Sequence, residues 1–255
     1  MSFFDSVSEN MLNRAIIIVA ILLAAVIIAG LGVYAYRQIP AKNYSPAVQK
    51  QINDAEAAIA KNPKDADARV RLATIYLSES QYAEAKTELT QALEANKNHI
   101  GANQLMGTVY EHEGNISQAV SYYKKTISLS EKTEFQSLNP YLYEAIYRLG
   151  AIYNDQKKYK DAISVLKKGV AINPIDSDLR YQLGIAYVRD KKPDEAVTQL
   201  KEAVKYVPDF AEAHYWLGRA YELKGDKELA KKSYEDALKY KPDYPEAKEA
   251  LNRLS

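Results

Sequence analysis

The chain has 255 residues, of which 47% are hydrophobic and 26% are charged, a composition typical of a folded chain. Its 34 basic and 33 acidic side chains nearly cancel, which argues against a nucleic-acid binder, because such proteins concentrate a basic excess on one face. The sequence contains no cysteine, which excludes disulfides, thiol catalysis and cysteine-ligated metal sites.

The first predicted element is a membrane helix at residues 15–36, which follows a tail of residues 1–14. This stretch of 22 residues carries no charge and lies between Arg14 and Arg37. A helix rises about 1.5 Å per residue, so this length crosses the roughly 30 Å hydrocarbon core of a bilayer. We therefore predict a single-pass membrane protein with one N-terminal transmembrane helix.

The alternative for this stretch is a cleaved signal peptide, but it is longer than the apolar region of about 7 to 15 residues in such leaders. The nearby basic residues, Arg14 before it and Arg37, Lys42 and Lys50 after it, favour a cytoplasmic C-terminal domain. The free N-terminal amine nearly cancels this difference, so the side of the membrane stays open.

Small residues share one face of the predicted membrane helix. These are Ala25, Ala29 and Gly32, whose size would let a second helix approach closely. Self-association through this face is one hypothesis. The alternative is that alanine and glycine are simply common in membrane helices.

Beyond residue 65 a pattern recurs at intervals of 34, 43, 34 and 34 residues. Each copy holds a pair of a large apolar and a small residue, which begins at Leu72, Met106, Leu149, Leu183 and Leu217. Three residues after each pair stands a tyrosine, and twelve after it an alanine. Four residues beyond the alanine comes a large side chain: Leu89, Tyr123, Leu166, Leu200 and Tyr234.

This pattern resembles the tetratricopeptide-repeat (TPR) family, whose 34-residue unit is a helix–turn–helix. The resemblance implies an all-α solenoid of about five repeats plus a capping helix, carried on the predicted transmembrane helix. In such a unit the small residues lie where two helices cross, and the large residues fill the space beside them. Five units span residues 66–244, at 66–99, 100–133, 143–176, 177–210 and 211–244.

Both ends of the array fit the same frame. Residues 37–65 are interpreted as a linker and a half-repeat helix that starts at Pro46, and residues 245–255 as a capping helix that starts at a proline. Nine extra residues near 129–142 separate the second and third units. Insertions in repeat arrays often form a binding site, although a longer helix pair is the alternative.

Some positions depart from the family pattern. The family's tryptophan near the start of the first helix is absent, and the residues there are Arg69, Asn103, Ile146, Arg180 and His214. Val70 and Thr74 stand where some family members carry the lysine and asparagine that hold a chaperone carboxylate, so that clamp is not recognisable.

The resemblance places the ligand site on the concave side, which the first helix of each unit lines. Tyr147, Tyr181 and Tyr215 occupy one repeated position there, and a ladder of such rings suits an extended peptide or a helix. The alternative is that these rings pack against the neighbouring unit. The other candidate partner-binding residues are Arg148, Asn154, Ile185, Arg219 and Glu222, of which the two arginines could hold a carboxylate.

The sequence carries little sign of catalysis. Its three histidines (His99, His112 and His214) lie far apart in the repeat frame, and no metalloprotease helix motif, phosphate-binding glycine loop or nucleophile turn occurs. We therefore predict no enzyme activity, no metal site and no cofactor.

We expect a non-catalytic, membrane-tethered scaffold that binds a protein or peptide partner in the concave groove and assembles or stabilises a membrane complex. Resemblance to anchored bacterial repeat proteins leaves a second hypothesis, an extracytoplasmic folding or biogenesis factor for secretion, cytochrome maturation or pilus assembly. An enzyme with an unrecognised site is the third. The partner's identity and the oligomeric state are open.

Overall fold

The computed structural model describes residues 44–132 and 139–254. The chain divides into two compact units, Met1–Gln49 and Lys50–Ser255. The predicted membrane helix at residues 15–36, with its face of small residues, lies outside the described residues. Among the helices within the described ranges, none combines the length and the apolar character needed to cross a membrane.

All regular structure in the described residues is helical, and from α2 to α11 the helices form consecutive pairs, with a short turn between the two helices of each pair. The first helix of each pair contacts its own partner and the first helix of the next pair, while the second helix contacts the following pair. The helices in chain order are α1 (Pro46–Lys61), α2 (Ala66–Ser78), α3 (Tyr82–Ala95), α4 (Ile100–His112), α5 (Ile116–Ser130), α6 (Pro140–Asp155), α7 (Tyr159–Ile172), α8 (Ser177–Arg189), α9 (Pro193–Tyr206), α10 (Ala211–Lys224), α11 (Lys227–Tyr240) and α12 (Pro245–Leu254).

Side chains at the turns define where several helices begin. Asp65 and Asp176 each accept a hydrogen bond from the backbone N–H three residues later, as N-cap residues do. His99 does the same through Nδ1, so its Nε2 carries the proton and lies 3.0 Å from the Asp67 carboxylate. These caps satisfy N–H groups that the helices themselves leave without a partner.

The two helices of a unit cross where the repeat carries its small residue. A Cβ atom added to Gly107 would lie only 2.6 Å from the Tyr123 ring, and one added to Gly150 only 2.5 Å from Leu166. Such distances are too short for a real side chain, so any larger residue would push the helices apart. The small residue and the large residue of each repeat therefore pack directly against each other.

Two units place tyrosine at the large position, and both pair its buried hydroxyl with a glutamate. The Tyr123 hydroxyl donates to Glu111 at 2.7 Å, and the Tyr234 hydroxyl donates to Glu222. Both glutamates stand at the twelfth position of their units. The units with leucine at the large position have no glutamate there, and carry Leu77, Asn154 and Val188. A buried hydroxyl needs an acceptor, which explains why the two positions change together.

The family has tryptophan at the fourth position of the unit. In four of the five units here, the side chain at this position hydrogen-bonds to the backbone of the turn that precedes the unit. This side chain donates to the backbone carbonyl six residues earlier, and this contact is made by four residues of three types. The pairs are Arg69 with Pro63 (3.0 Å), Asn103 with Lys97 (3.2 Å), Arg180 with Pro174 (2.7 Å) and His214 with Pro208 (2.9 Å). Ile146 is the exception, because the insertion replaces that turn.

The buried apolar side chains of the described residues form two clusters. The smaller one joins α2, α3 and α4 through residues such as Leu89 and Met106. The larger one runs from α5 to α12 through Leu166 and Leu200. Tyr110 packs against both clusters. The boundary between them therefore falls inside the second unit.

Replacing Arg69 with methionine should lower the free energy of unfolding by about 2–4 kcal/mol. The substitution keeps the apolar stem but leaves the Pro63 carbonyl and the Glu88 carboxylate without the guanidinium that bonds both of them (2.6 Å to Glu88). Urea denaturation followed by circular dichroism measures the change. Arg71→Met, an exposed position on the same helix, is the control, and an equal loss in both variants would contradict this role.

Alkaline pH should destabilise the fold through Tyr123 and Tyr234. Burial, and then the bonded glutamate, raises the pKa of each above the ordinary value of 10.0. The unfolded chain therefore ionises first, and stability present below pH 10 is lost above it, by about 1.4 kcal/mol per pH unit and residue. Between pH 9 and 11, the Tyr123→Phe/Tyr234→Phe variant should lose about 2–3 kcal/mol less than wild type.

The control for that measurement is the double variant Tyr206→Phe/Tyr240→Phe, which removes two hydroxyls from exposed rings. Urea midpoints at pH 9 and 11 give the comparison. If the buried-tyrosine variant loses as much stability as wild type over this interval, the two hydroxyls do not carry the pH dependence.

Candidate functional site

The three tyrosines predicted to form a ladder lie on α6, α8 and α10, the first helices of the last three units. Because these helices contact one another in sequence, their equivalent positions become neighbours. Tyr147 and Tyr181 are half-buried, whereas Tyr215 is only 9% exposed. The ladder is therefore open to solvent at two rings and nearly closed at the third.

A polar network links α6 to α8. Gln182 lies between Tyr147 and Asn154: its amide N–H donates to the Tyr147 hydroxyl at 3.5 Å, and its side-chain oxygen accepts from Asn154 at 3.2 Å. Arg189 donates to the backbone carbonyl of Asn154 at 3.0 Å. Asn154 is 2% exposed, and its Oδ1 atom has no hydrogen-bond partner among the described residues. These hydrogen bonds connect Tyr147, at one end of the ladder, to Arg189 on α8.

Aromatic contacts link α8 to α10. The Trp216 ring meets the edge of the Tyr215 ring, with 5.8 Å between the two ring centroids. The Tyr181 ring also packs on Phe210 at 4.8 Å. Burial raises the pKa of Tyr181 to about 12, so its hydroxyl stays protonated at neutral pH. Tyr215 extends this surface to Tyr244, just before α12, at 5.1 Å.

Two arginines flank the indole of Trp216. The guanidinium carbon of Arg189 lies 5.4 Å from the ring centroid and that of Arg219 lies 5.8 Å from it, both within cation–π range. Arg219 also donates to the Tyr215 hydroxyl at 3.2 Å, and its Nε lies 3.7 Å from Glu222. The structure thus brings Tyr181, Tyr215, Arg219 and Glu222 into one continuous surface with Trp216.

The remaining predicted site residues lie outside this cluster. Arg148 donates to Glu144 at 2.6 Å and to Glu111 at 3.5 Å, so carboxylates of α6 and α4 already surround its guanidinium. Ile185 is 6% exposed and offers almost no surface.

Sequence reasoning missed three residues of the surface: Gln182, Arg189 and Trp216. Gln182 and Trp216 each follow a ladder tyrosine directly, at the sixth position of their units. That shared position was a signal that could have identified them. Arg189 stands at the C-terminal end of α8 and has no equivalent arginine in the other units, so the repeat frame could not have singled it out.

The start of α6 also contacts the units that precede it. It begins at Pro140, three residues before its unit, and places Tyr141 against Gly101 of α4, where an added Cβ would lie 2.8 Å from the ring. A cavity of about 580 Å³ is lined by Tyr141, Val70 and Thr74, among others. Residues 133–138 of the insertion lie outside the described residues.

The side chains that the structure describes include no group of three or more His, Asp or Glu residues placed to hold a metal ion. The surface from Tyr147 to Glu222 instead combines aromatic faces, amide groups and guanidinium donors. These groups can stack on apolar side chains, pair with a peptide backbone and hold a carboxylate.

Known structures share this fold. The solved structure of YrrB, described as a TPR protein with an unusual peptide-binding site, is 25% identical with a TM-score of 0.66, covering 78% of this chain and 97% of its own. MamA from Desulfovibrio magneticus RS-1 is also 25% identical, with a TM-score of 0.59, covering 69% of this chain and 95% of its own. No curated protein sequence matches the chain.

Three family models, each described as tetratricopeptide repeat, match the chain at residues 46–129, 153–200 and 181–245. Together they cover more than half of the 255 residues, and they include α8 and α10 in full, whereas most of α6 lies between the first two matches. The helix pairs, the small-to-large crossing contacts and these matches agree, and the chain belongs to the tetratricopeptide-repeat family.

Proposed function

We propose that this protein is a non-catalytic scaffold, tethered to a membrane by residues 15–36, that binds an extended segment of a partner protein in the groove of α6, α8 and α10. The observation that carries the proposal is the continuous, partly exposed surface from Tyr147 to Glu222. Solenoids of this type use their concave surfaces for binding.

The exposure of the groove tyrosines supports binding over simple packing. Where the chain uses tyrosine in its core, as at Tyr123 and Tyr234, the side chain is fully buried. Tyr147 and Tyr181 remain partly open on the surface that faces the groove. Flat rings with a polar tip bind peptide segments at low entropic cost, because they have few rotatable bonds to fix.

The similarity to YrrB adds support from an independent direction. That protein is described as having a peptide-binding site, and it aligns with this chain over most of both lengths. A peptide laid along the groove could pair its backbone with the Gln182 amide and its side chains with the aromatic rings.

The membrane tether rests on the uncharged run at residues 15–36. Only nine residues separate this run from Pro46, the start of α1. A tether this short would hold a bound partner close to the bilayer. The proposal therefore assigns the scaffold to the assembly or stabilisation of a membrane complex.

The double variant Tyr147→Ala/Tyr181→Ala should weaken peptide binding at least tenfold, because stacking on each ring contributes roughly 1 kcal/mol or more. The probe is a set of peptides selected from a random phage-displayed library on the full chain in detergent micelles, and fluorescence anisotropy gives the affinities. Circular dichroism checks that the helices persist.

Tyr206→Ala/Tyr240→Ala is the matched control, because it removes two exposed rings at the turns between units. This control should leave binding of the selected peptides within twofold of wild type. Equal affinity of the groove variant and the control would contradict binding in this groove.

Alkaline carbonate extraction should leave the full chain in the membrane pellet. Leu23→Arg/Ile27→Arg should release it, because each arginine at the centre of a membrane helix costs about 2.5–3.5 kcal/mol. Ile175→Arg/Leu229→Arg places the same charges at exposed positions of the helical array and should stay in the pellet. A wild-type chain found in the soluble fraction would refute the tether.

A further inference from the structure

The α8–α10 part of the groove places two guanidinium groups over one aromatic ring. Its centre is the cluster of Arg189, Trp216 and Arg219, which we call the Trp216 subsite. Both guanidinium carbons lie within 6 Å of the same indole, at 5.4 Å and 5.8 Å from its centroid. The side chains of the two arginines are 33% and 41% exposed, so a ligand in the groove can reach them.

The carboxylates near the Trp216 subsite do not neutralise it. The carboxylate paired with Arg189 belongs to Asp155, at 3.9 Å, and that side chain is 83% exposed, so water screens the pair. Arg219 lies 3.7 Å from Glu222, but Glu222 also accepts from the Tyr234 hydroxyl and lies 3.5 Å from Arg253. One partly buried carboxylate thus lies within ion-pair distance of two arginines.

Hydrogen-bonding capacity also remains at both arginines. A guanidinium has five N–H donors. Within the described residues Arg189 makes one hydrogen bond, to the Asn154 carbonyl, and Arg219 makes one, to the Tyr215 hydroxyl. These bonds hold each side chain in place and leave donors for a ligand.

The neighbouring arginine of the groove gives a contrast. Arg148 donates to Glu144 at 2.6 Å and to Glu111 at 3.5 Å, so two carboxylates already balance its charge. Any preference for an anion should therefore arise at the Trp216 subsite and not along the whole groove.

We infer that the Trp216 subsite binds a carboxylate of the partner peptide, with the adjoining apolar stem against the indole. This inference rests on the proposed function. It assigns the partner segment to a chemical class, namely segments in which a carboxylate is flanked by apolar residues. Planar guanidinium groups suit this ligand, because they can donate two parallel hydrogen bonds to one carboxylate. Trp216 supplies the apolar face against which the rest of the side chain packs.

The chain offers a direct spectroscopic readout, because Trp216 is its single tryptophan. The full chain in detergent micelles is titrated with pools of nine-residue peptides that are acetylated, amidated and free of tryptophan. The central residue is Glu, Gln or Lys, and the other positions are uncharged. A fourth pool has Gln at the centre and a free C-terminal carboxylate. Tryptophan emission reports occupancy of the subsite.

The Glu pool should bind about tenfold more tightly than the Gln pool and shift the emission, because a guanidinium bonds more strongly to a charged carboxylate than to a neutral amide oxygen. Arg189→Glu/Arg219→Glu should reverse the preference towards the Lys pool, an effect that a structural role alone would not produce. Lys205→Glu/Lys239→Glu makes the same change in net charge at exposed positions and should keep the preference for Glu.

Each outcome decides the inference. Tightest binding of the Glu pool assigns the subsite to acidic side chains, and tightest binding of the free-terminus pool assigns it to peptide ends, so either upholds a carboxylate ligand. If all pools bind wild type equally and Tyr147→Ala/Tyr181→Ala weakens the binding of each, the inference is overturned and the proposed function stands. If no pool binds in a way that depends on Tyr147 and Tyr181, both the inference and the proposed function are overturned.

Discussion

The close crossing of two helices within each unit is the constraint on which the structure depends. At Gly107 and Gly150 the backbone of one helix lies against a large side chain of the other, with no room for a Cβ atom. This contact fixes the distance and angle between the helices of a pair. Repeated at glycine in four units, with Ala73 at the same position in the first, it sets the first helices side by side, and their equivalent residues then form one surface.

The same contact connects the core to the groove. Where the large residue is Tyr234, its side chain lies at the crossing of the two helices and its hydroxyl donates to Glu222. Glu222 in turn lies beside Arg219. A core residue thereby positions a groove carboxylate. In the second unit Tyr123 does the same for Glu111, which in turn lies near Arg148. The choice of tyrosine or leucine inside a unit therefore changes the charge pattern of the surface outside it.

Sequence reasoning predicted the helical repeat array because its signal is local and repeated. It placed Tyr181 and Tyr215 on the first helices, but it could not predict that Arg189 from the end of one helix would meet Trp216 on the next. That contact depends on the packing angle between units, which no spacing encodes. It also left the varied fourth position unexplained, because Asn103 and His214 share a hydrogen-bond geometry and not a residue type.

The division of the apolar core into two clusters has a consequence for how the protein comes apart. Clusters of this kind behave as separate cooperative units that open with different free energies. The smaller cluster holds α2 to α4, whereas every helix of the groove lies in the larger one. Local unfolding that starts at α1 can therefore stop at the boundary near Tyr110. The groove helices can then stay folded while the helices of the smaller cluster open.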